Sequence, residues 1–231
     1  MTSSTSTSTT DSTDLVPHAL ADSAAALDAL LSAVGQLTDA DLAEPSPLDG
    51  WTRGHVLSHV AGIGGAMLGQ TQAAERGEVV PVYASQEART AGIEAGSGRT
   101  VTEHLAVLGT LRDDLARAWP EPGSPLWDAS SGYRGGPLSG CLFAWWREVR
   151  IHSVDALAGT SQAVGYETWD DTLCAHLRGF LAVRLPDGVS VDDLAGDPRD
   201  VTAWLAGRAP TTSLGAGLPE LGPWPSAAPA R

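Results

Sequence analysis

Residues 138–157 read LSGCLFAWWREVRIHSVDAL. The run has helical length, no proline and a dense apolar content, which predicts one long helix over Leu138 to Leu157. Glu148 and His152 stand four residues apart in it, so on a helix both fall on one face about one turn apart. Trp145, Trp146, Ile151 and Leu157 surround the pair with apolar bulk. A polar pair in such surroundings costs free energy unless its groups are satisfied.

Working outward, three more long helices are expected. Asp14 to Leu37 carries Leu20, Leu27, Leu30, Leu31 and Val34 at helical spacing. Trp51 to Arg76 follows a turn region broken by Pro45 and Pro47, with Thr52 as N-cap; its glycines at 62, 64, 65 and 69 weaken the propensity but permit close helix packing. Thr100 to Trp119 opens on a capping box of Thr100 and Glu103. A shorter amphipathic helix, Ser85 to Glu94, follows a connector over Val79 to Tyr83, and a Gly/Pro/Ser-rich loop spans Pro120 to Pro137. Four long helices with one extended crossover predict a mainly α four-helix bundle. Beyond Gly159 the pattern loosens. Trp169 to Leu185 reads as a helix, Asp197 to Arg208 as a short one with Asp197 as cap and Pro198 at its first position, and the Pro/Gly-rich end from Ala209 wraps over the surface. The expected organisation is a Ser/Thr-rich disordered tail over 1–13, a bundle over 14–160 and a small C-terminal segment over 161–231.

The second long helix contains His55 and His59, again four apart. One histidine from this helix and the Glu-x3-His pair of the other make a three-donor site inside a bundle. Three protein donors with an open fourth position suit a catalytic zinc, and the mixed N/O set also suits iron, cobalt, nickel or manganese. The plain alternative is a solvated Glu–His pair on a helix surface. For His55 the better placement is against a neighbouring helix or behind a ligand. His18, His104 and His176 read as isolated histidines. Cys141 shares the face of Glu148 but stands two turns away, about 10 Å by helical rise, too far for the same cluster.

Composition excludes whole classes. The net charge is −14, which opposes binding to nucleic acid or anionic membranes. All fourteen basic residues are arginine, so neither Schiff-base chemistry on a lysine nor a P-loop lysine is available. Cys141 and Cys174 form no disulfide or CxxC pattern and are expected as buried thiols. No apolar run reaches the length of a membrane span, and no signal peptide is evident, so the simplest location is the cytoplasm.

Several blocks carry a family resemblance. PLDGWTRGHVLSHVA (47–61) resembles the opening motif of the mycothiol-dependent maleylpyruvate isomerases, a family of DinB-like metalloenzymes. VYASQEAR (82–89) with Ile93 to Gly96 resembles the next block. WREVRIH (146–152) with Asp155 and Leu157 resembles the metal helix. Gly196-Asp197-Pro198, Trp204 to Arg208, Leu218-Pro219 and Pro223-Trp224-Pro225 resemble the C-terminal signature. The resemblance runs from about residue 14 to the end. It implies a DinB-like four-helix bundle with a small, reduced C-terminal α/β segment, since little room for strands remains between Leu185 and Gly196. It places the metal ligands on His59, Glu148 and His152, with zinc first among the candidate metals. One departure stands out: where the family shows a polar stretch after the histidine, this chain has Ala61-Gly62-Ile63-Gly64-Gly65.

The activity implied by the resemblance is metal- and mycothiol-dependent cis–trans isomerisation of maleylpyruvate to fumarylpyruvate by reversible thiolate addition. The dianionic substrate calls for cations, and Arg89 and Arg208 are the candidates. Tyr83 and His55 are candidates for lining the cofactor side of the pocket, while Trp51 is expected to pack the helix start. Expected partners are the low-molecular-weight thiol and an anionic or electrophilic small molecule, in a monomer or homodimer. Two rivals are a mycothiol-dependent S-transferase acting on an electrophile and a non-catalytic zinc-binding regulatory protein.

Overall fold

The structure, a computed structural model, describes residues 12–215 and 217–225. Eight α-helices follow in order among them: α1 (Ser12–Val34), α2 (Asp39–Ala43), α3 (Arg53–Glu75), α4 (Gln86–Ser97), α5 (Val101–Ala118), α6 (Leu138–Leu157), α7 (Asp171–Leu181) and α8 (Pro198–Leu205). α1, α3, α5 and α6 form the bundle: α6 packs on α1 and α3, and α5 closes the ring against the same two helices. No helix among the described residues is long and apolar enough to cross a membrane.

The expected elements appear with small shifts. α1 begins at Ser12, two residues earlier than its pattern suggested; residues 1–11 of the expected tail lie outside the described residues. α3 and α5 start on capping boxes at Thr52 and Thr100, and α8 starts on Asp197 with Pro198 at its first position. The 38–50 turn region contains α2, which Thr38 caps in a box with Asp41. Five residues are too few to show a helical period, so only the cap advertises it. The C-terminal segment, expected as a reduced α/β unit, carries α7, α8 and short 3₁₀ turns. The described residues hold no strand there, and their only β pairings are two isolated bridges elsewhere.

The core gathers where α6 crosses its neighbours. Trp145 and Trp146 are fully buried with Leu27, Leu30, Leu57, Met67, Leu108 and Leu142. Aromatic side chains bury about 150–250 Å² each, so these two rings dominate the apolar contribution of α6. The Trp146 indole N–H donates to Asp22 Oδ2 at 2.6 Å, which satisfies its one polar atom. Gly64 shows how close α3 comes: a Cβ there would sit 2.5 Å from Leu111 Cδ2 and 2.9 Å from Trp145 Cζ3. Glycine at this position is what lets α3 approach α5 and α6 together.

Two matching turns lead into the helices that carry the candidate site. The chain enters α3 through a turn closed by a bridge between Pro45 and Thr52, and α6 through one closed by a bridge between Ser130 and Pro137. Gly50 and the Arg134–Gly135 pair take positive φ in these turns. At the start of α3, the buried Arg53 guanidinium donates to Asp41 O (3.1 Å) and twice to Ala158 O (3.2 and 2.7 Å). It ties the end of α6 to the start of α3, with its charge at a helix C-terminus where cations are favoured.

Candidate metal centre

α3 and α6 bring His59, Glu148 and His152 together. Glu148 Oε2 lies 3.0 Å from His59 Nε2 and 3.1 Å from His152 Nε2. The imidazole rings stand nearly perpendicular, with centroids 4.7 Å apart. One donor atom from each of the three residues falls within 4.8 Å of the others. Metal–ligand distances of about 2.0–2.2 Å require ligand atoms a little over 3 Å apart in a tetrahedral shell, so the spacing fits one divalent ion without rebuilding the helices.

Burial and hydrogen bonding set the protonation states of the three groups. Burial holds His59 below the usual histidine range, which keeps its imidazole neutral. Burial also acts to raise the Glu148 carboxyl, but hydrogen bonds from His152 and His59 overcome it and hold the group well below the usual carboxylate range. His152 is the reverse case. Burial lowers it, and hydrogen bonding to Asp155 and Glu148 more than compensates, so it is raised. His152 Nδ1–H donates to Asp155 Oδ2 at 2.8 Å, which leaves Nε2 facing the cluster. A carboxylate behind a histidine fixes the tautomer and increases the basicity of the ligating nitrogen. Asp155 is itself almost completely buried and takes both Nε (3.2 Å) and Nη2 (2.5 Å) of Arg208.

The cluster opens onto a cavity of about 560 Å³. Tyr83, Arg89 and Arg208 all line it, as do Trp51, Tyr133 and Trp224. Arg89 Nη2 lies 3.3 Å from His59 Nδ1, and its guanidinium sits 5.9 Å from the centre of the Tyr83 ring. The Tyr83 hydroxyl is buried beside Arg89, and burial raises its pKa. The C-terminal segment reaches the cavity because Gly222 N–H donates to Arg184 O at 2.7 Å while Arg184 Nε donates back to Gly222 O at 2.9 Å. This pairing carries Trp224 and Pro225 to the rim.

Six of the seven singled-out residues therefore meet at one cavity, and His55 stands apart. Its Nδ1 completes the Thr52 capping box, its ring stacks on Trp51, and Nε2 faces Glu94 at 3.4 Å. It stands four positions before His59, but its side chain is committed to the start of α3. Trp51, expected only to pack the helix start, also lines the cavity and meets the His59 ring edge-on at 5.5 Å. In the sequence Asp155 stands out only as part of the WREVRIH block's continuation. Its three-residue spacing from His152 was the available signal, because residues three apart are helix neighbours. His176 stacks on Trp146 and contacts Arg147 Nη1 at 2.9 Å, away from the cluster.

Both cysteines are free, buried thiols. Burial pushes the Cys141 thiol up to about 11 and also raises Cys174, and low pKa and exposure are what make a thiol reactive.

Comparison with known proteins agrees with the architecture. The family described as the mycothiol maleylpyruvate isomerase N-terminal domain matches residues 23–157. A crystal structure of a mycothiol-dependent maleylpyruvate isomerase superposes with a TM-score of 0.75 at 24% identity, covering 90% of this chain and 96% of that one. A histidine-to-alanine mutant of such an isomerase gives 0.76 at 23% identity with the same coverage. At these identities the superpositions speak for the shared fold. No protein of curated function matches the chain.

Proposed function

The chain belongs to the mycothiol maleylpyruvate isomerase N-terminal domain family, and from that premise we propose that it is a metal- and mycothiol-dependent isomerase converting maleylpyruvate to fumarylpyruvate. The observation that carries the proposal is the His59–Glu148–His152 cluster at a cavity lined by Arg89 and Tyr83. His59, Glu148 and His152 would hold the ion, with zinc the first candidate. When bound, the metal would favour the thiolate form of the added thiol near neutral pH.

The chain's own residues divide the remaining work. Both cysteines are buried and raised, which supports an external thiol as the nucleophile. Its sulfur adds to one carbon of the cis double bond, and the electron pair moves onto the conjugated carbonyl oxygen. The former double bond, now single, rotates. The pair returns, the thiolate leaves, and the trans isomer results with no net redox change. Arg89 binds a substrate carboxylate, and Tyr83 lines the pocket beside it. Asp155 orients His152. Arg208 holds Asp155 and also donates to Ala206 O, so its charge is largely committed and its contribution to anion binding is through its remaining N–H donors. Trp51 and Trp224 narrow the cavity and limit water.

The test is maleylpyruvate turnover on metal-analysed protein with and without mycothiol. Thiol-dependent formation of fumarylpyruvate, lost together with the metal in His152→Ala, is the expected result. An S-conjugate as the accumulating product would replace this reading with the transferase, and metal-loaded protein inert with both thiol and substrate would remove it. The regulatory alternative predicts an exposed apolar patch; the large apolar side chains exposed among the described residues are Val79, Val107 and Val183.

A further inference from the structure

The cavity at the metal centre has a side chamber. A second space of about 270 Å³ adjoins it between α3, α4 and α5, and shares His59, Ile63, Tyr83 and Arg89 with it. Its remaining wall includes Gly62, Gly92 and Arg99. A Cβ built on Gly62 or Gly92 would meet nothing within 4 Å, so the absence of side chains at these two positions keeps the space open. Gly62 belongs to the Ala61–Gly65 stretch that follows His59.

Two guanidinium groups face this chamber. Arg89 stands at its junction with the main cavity, and Arg99 follows the end of α4. Arg99 Nη1 would lie 2.4 Å from a Cβ on Gly96. Its side chain therefore folds back along α4, toward the end that carries Arg89, and only glycine at 96 leaves room for it. The ion pairs of the described residues run through Arg76, Arg112, Arg117, Arg150, Arg199 and Arg208 and leave out both Arg89 and Arg99. In a chain of net charge −14, two unpaired cations sharing one small chamber are an arrangement that an anion would relieve. Arg89 stands at the junction with the main cavity and Arg99 comes from beyond the last turn of α4, against Gly96, so the two address different ends of the chamber.

We infer that the side chamber is a subsite for the remote carboxylate of a dicarboxylate substrate, with Arg89 taking the carboxylate nearer the metal residues and Arg99 the far one. Arg99 is then a specificity-determining residue. This deepens the functional reading above and rests on it for the identity of the substrate, but not for the binding itself. The competing role for Arg99 is structural, a positive charge at the C-terminal end of α4. That role predicts an effect on stability and none on anion binding.

The experiment titrates zinc-loaded, thiol-free, full-length protein by calorimetry with adipate, which has a carboxylate at each end and no double bond, and with hexanoate, which has one carboxylate. Wild type should bind adipate more tightly than hexanoate. Arg99→Gln should weaken adipate about tenfold, the scale of one charge-assisted hydrogen-bonded contact, and leave hexanoate unchanged. Gly62→Leu fills the chamber without altering charge and should also weaken adipate selectively, which keeps the inference testable if Arg99→Gln lowers the melting temperature. Equal affinity of wild type for the two acids, or unchanged adipate binding in both variants, would overturn the subsite. Arg99-dependent adipate binding without maleylpyruvate turnover would keep the subsite and remove the isomerase reading. Turnover with no adipate preference would do the opposite.

Discussion

Asp155 Oδ2 accepts the Nδ1–H of His152 at 2.8 Å from a position with almost no solvent exposure. The same carboxylate receives Arg208 through two nitrogens. The orientation of a candidate metal ligand is thus tied to a residue beyond α8, some fifty positions along the chain. Asp155→Asn keeps the size but replaces the anionic acceptor, and metal sites lose about 10–100-fold in affinity when such partners are removed. Competitive chelator titration of Asp155→Asn should show a loss in that range, with helical circular dichroism retained. Unchanged zinc affinity would mean that His152 needs no partner.

Metal addition should also stabilise the fold, because the donors come from two different helices. A ligand at a hundred times its dissociation constant adds about 2.7 kcal/mol, or roughly 5–10 °C in a chain of this size. Chelator-stripped wild type should gain that much in Tm on zinc addition, and His59→Ala should gain nothing. Equal gains in both proteins would place the ion elsewhere.

Acid should destabilise the protein through its buried neutral histidines. His104 is fully buried, both ring nitrogens lack partners among the described residues, and burial pulls its pKa down to about 4. The unfolded chain, titrating near the ordinary value, binds the proton first as pH falls. Stability is therefore complete above about pH 6.5 and is lost as the pH drops from there toward 4. His104 alone accounts for a loss of up to about 2 kcal/mol between pH 7 and pH 5. His176, pulled to about 3 by burial and then by Arg147, acts in the same direction. Urea unfolding at the two pH values should show the loss, and His104→Gln should show a smaller difference between them.

Neighbouring glycines on α3 should respond with opposite sign. Gly65→Ala meets open space and gains helix propensity of up to about 1 kcal/mol. Gly64→Ala drives a methyl into Leu111 and Trp145, and overpacking of that kind costs about 1–3 kcal/mol, more than the propensity returns. Thermal unfolding of the two variants should bracket wild type.

Arg53→Ala should destabilise by about 2–4 kcal/mol, because it removes a buried charged donor, leaves the Ala158 carbonyl without a partner and leaves that of Asp41 with only the Glu44 N–H. Zinc content should stay at the wild-type level, since Arg53 touches none of the three donors. A variant as stable as wild type would show that water replaces the guanidinium.

Much of the molecule follows from the sequence alone. Helical period and capping residues are local, so the four bundle helices, the boxes at Thr52 and Thr100 and the Asp197–Pro198 start could be read directly. Glu148 and His152 could be paired for the same reason, since residues four apart on one helix share a face whatever surrounds them. Other relationships depend on contacts between distant segments. His59 and Glu148 stand 89 positions apart, and nothing in the chain between them shows that their side chains come to 3.0 Å; the packing of α3 on α6 does that. His55 and His59 look equivalent in the chain, and only the cap at Thr52 and the crossing of the helices turn one to the helix start and the other to the cavity. Arg208 likewise reads as a free cation until the fold sets it against Asp155. Spacing along a helix is determined by backbone geometry, whereas the partner of a charged side chain is determined by which elements pack together, and that choice belongs to the tertiary structure.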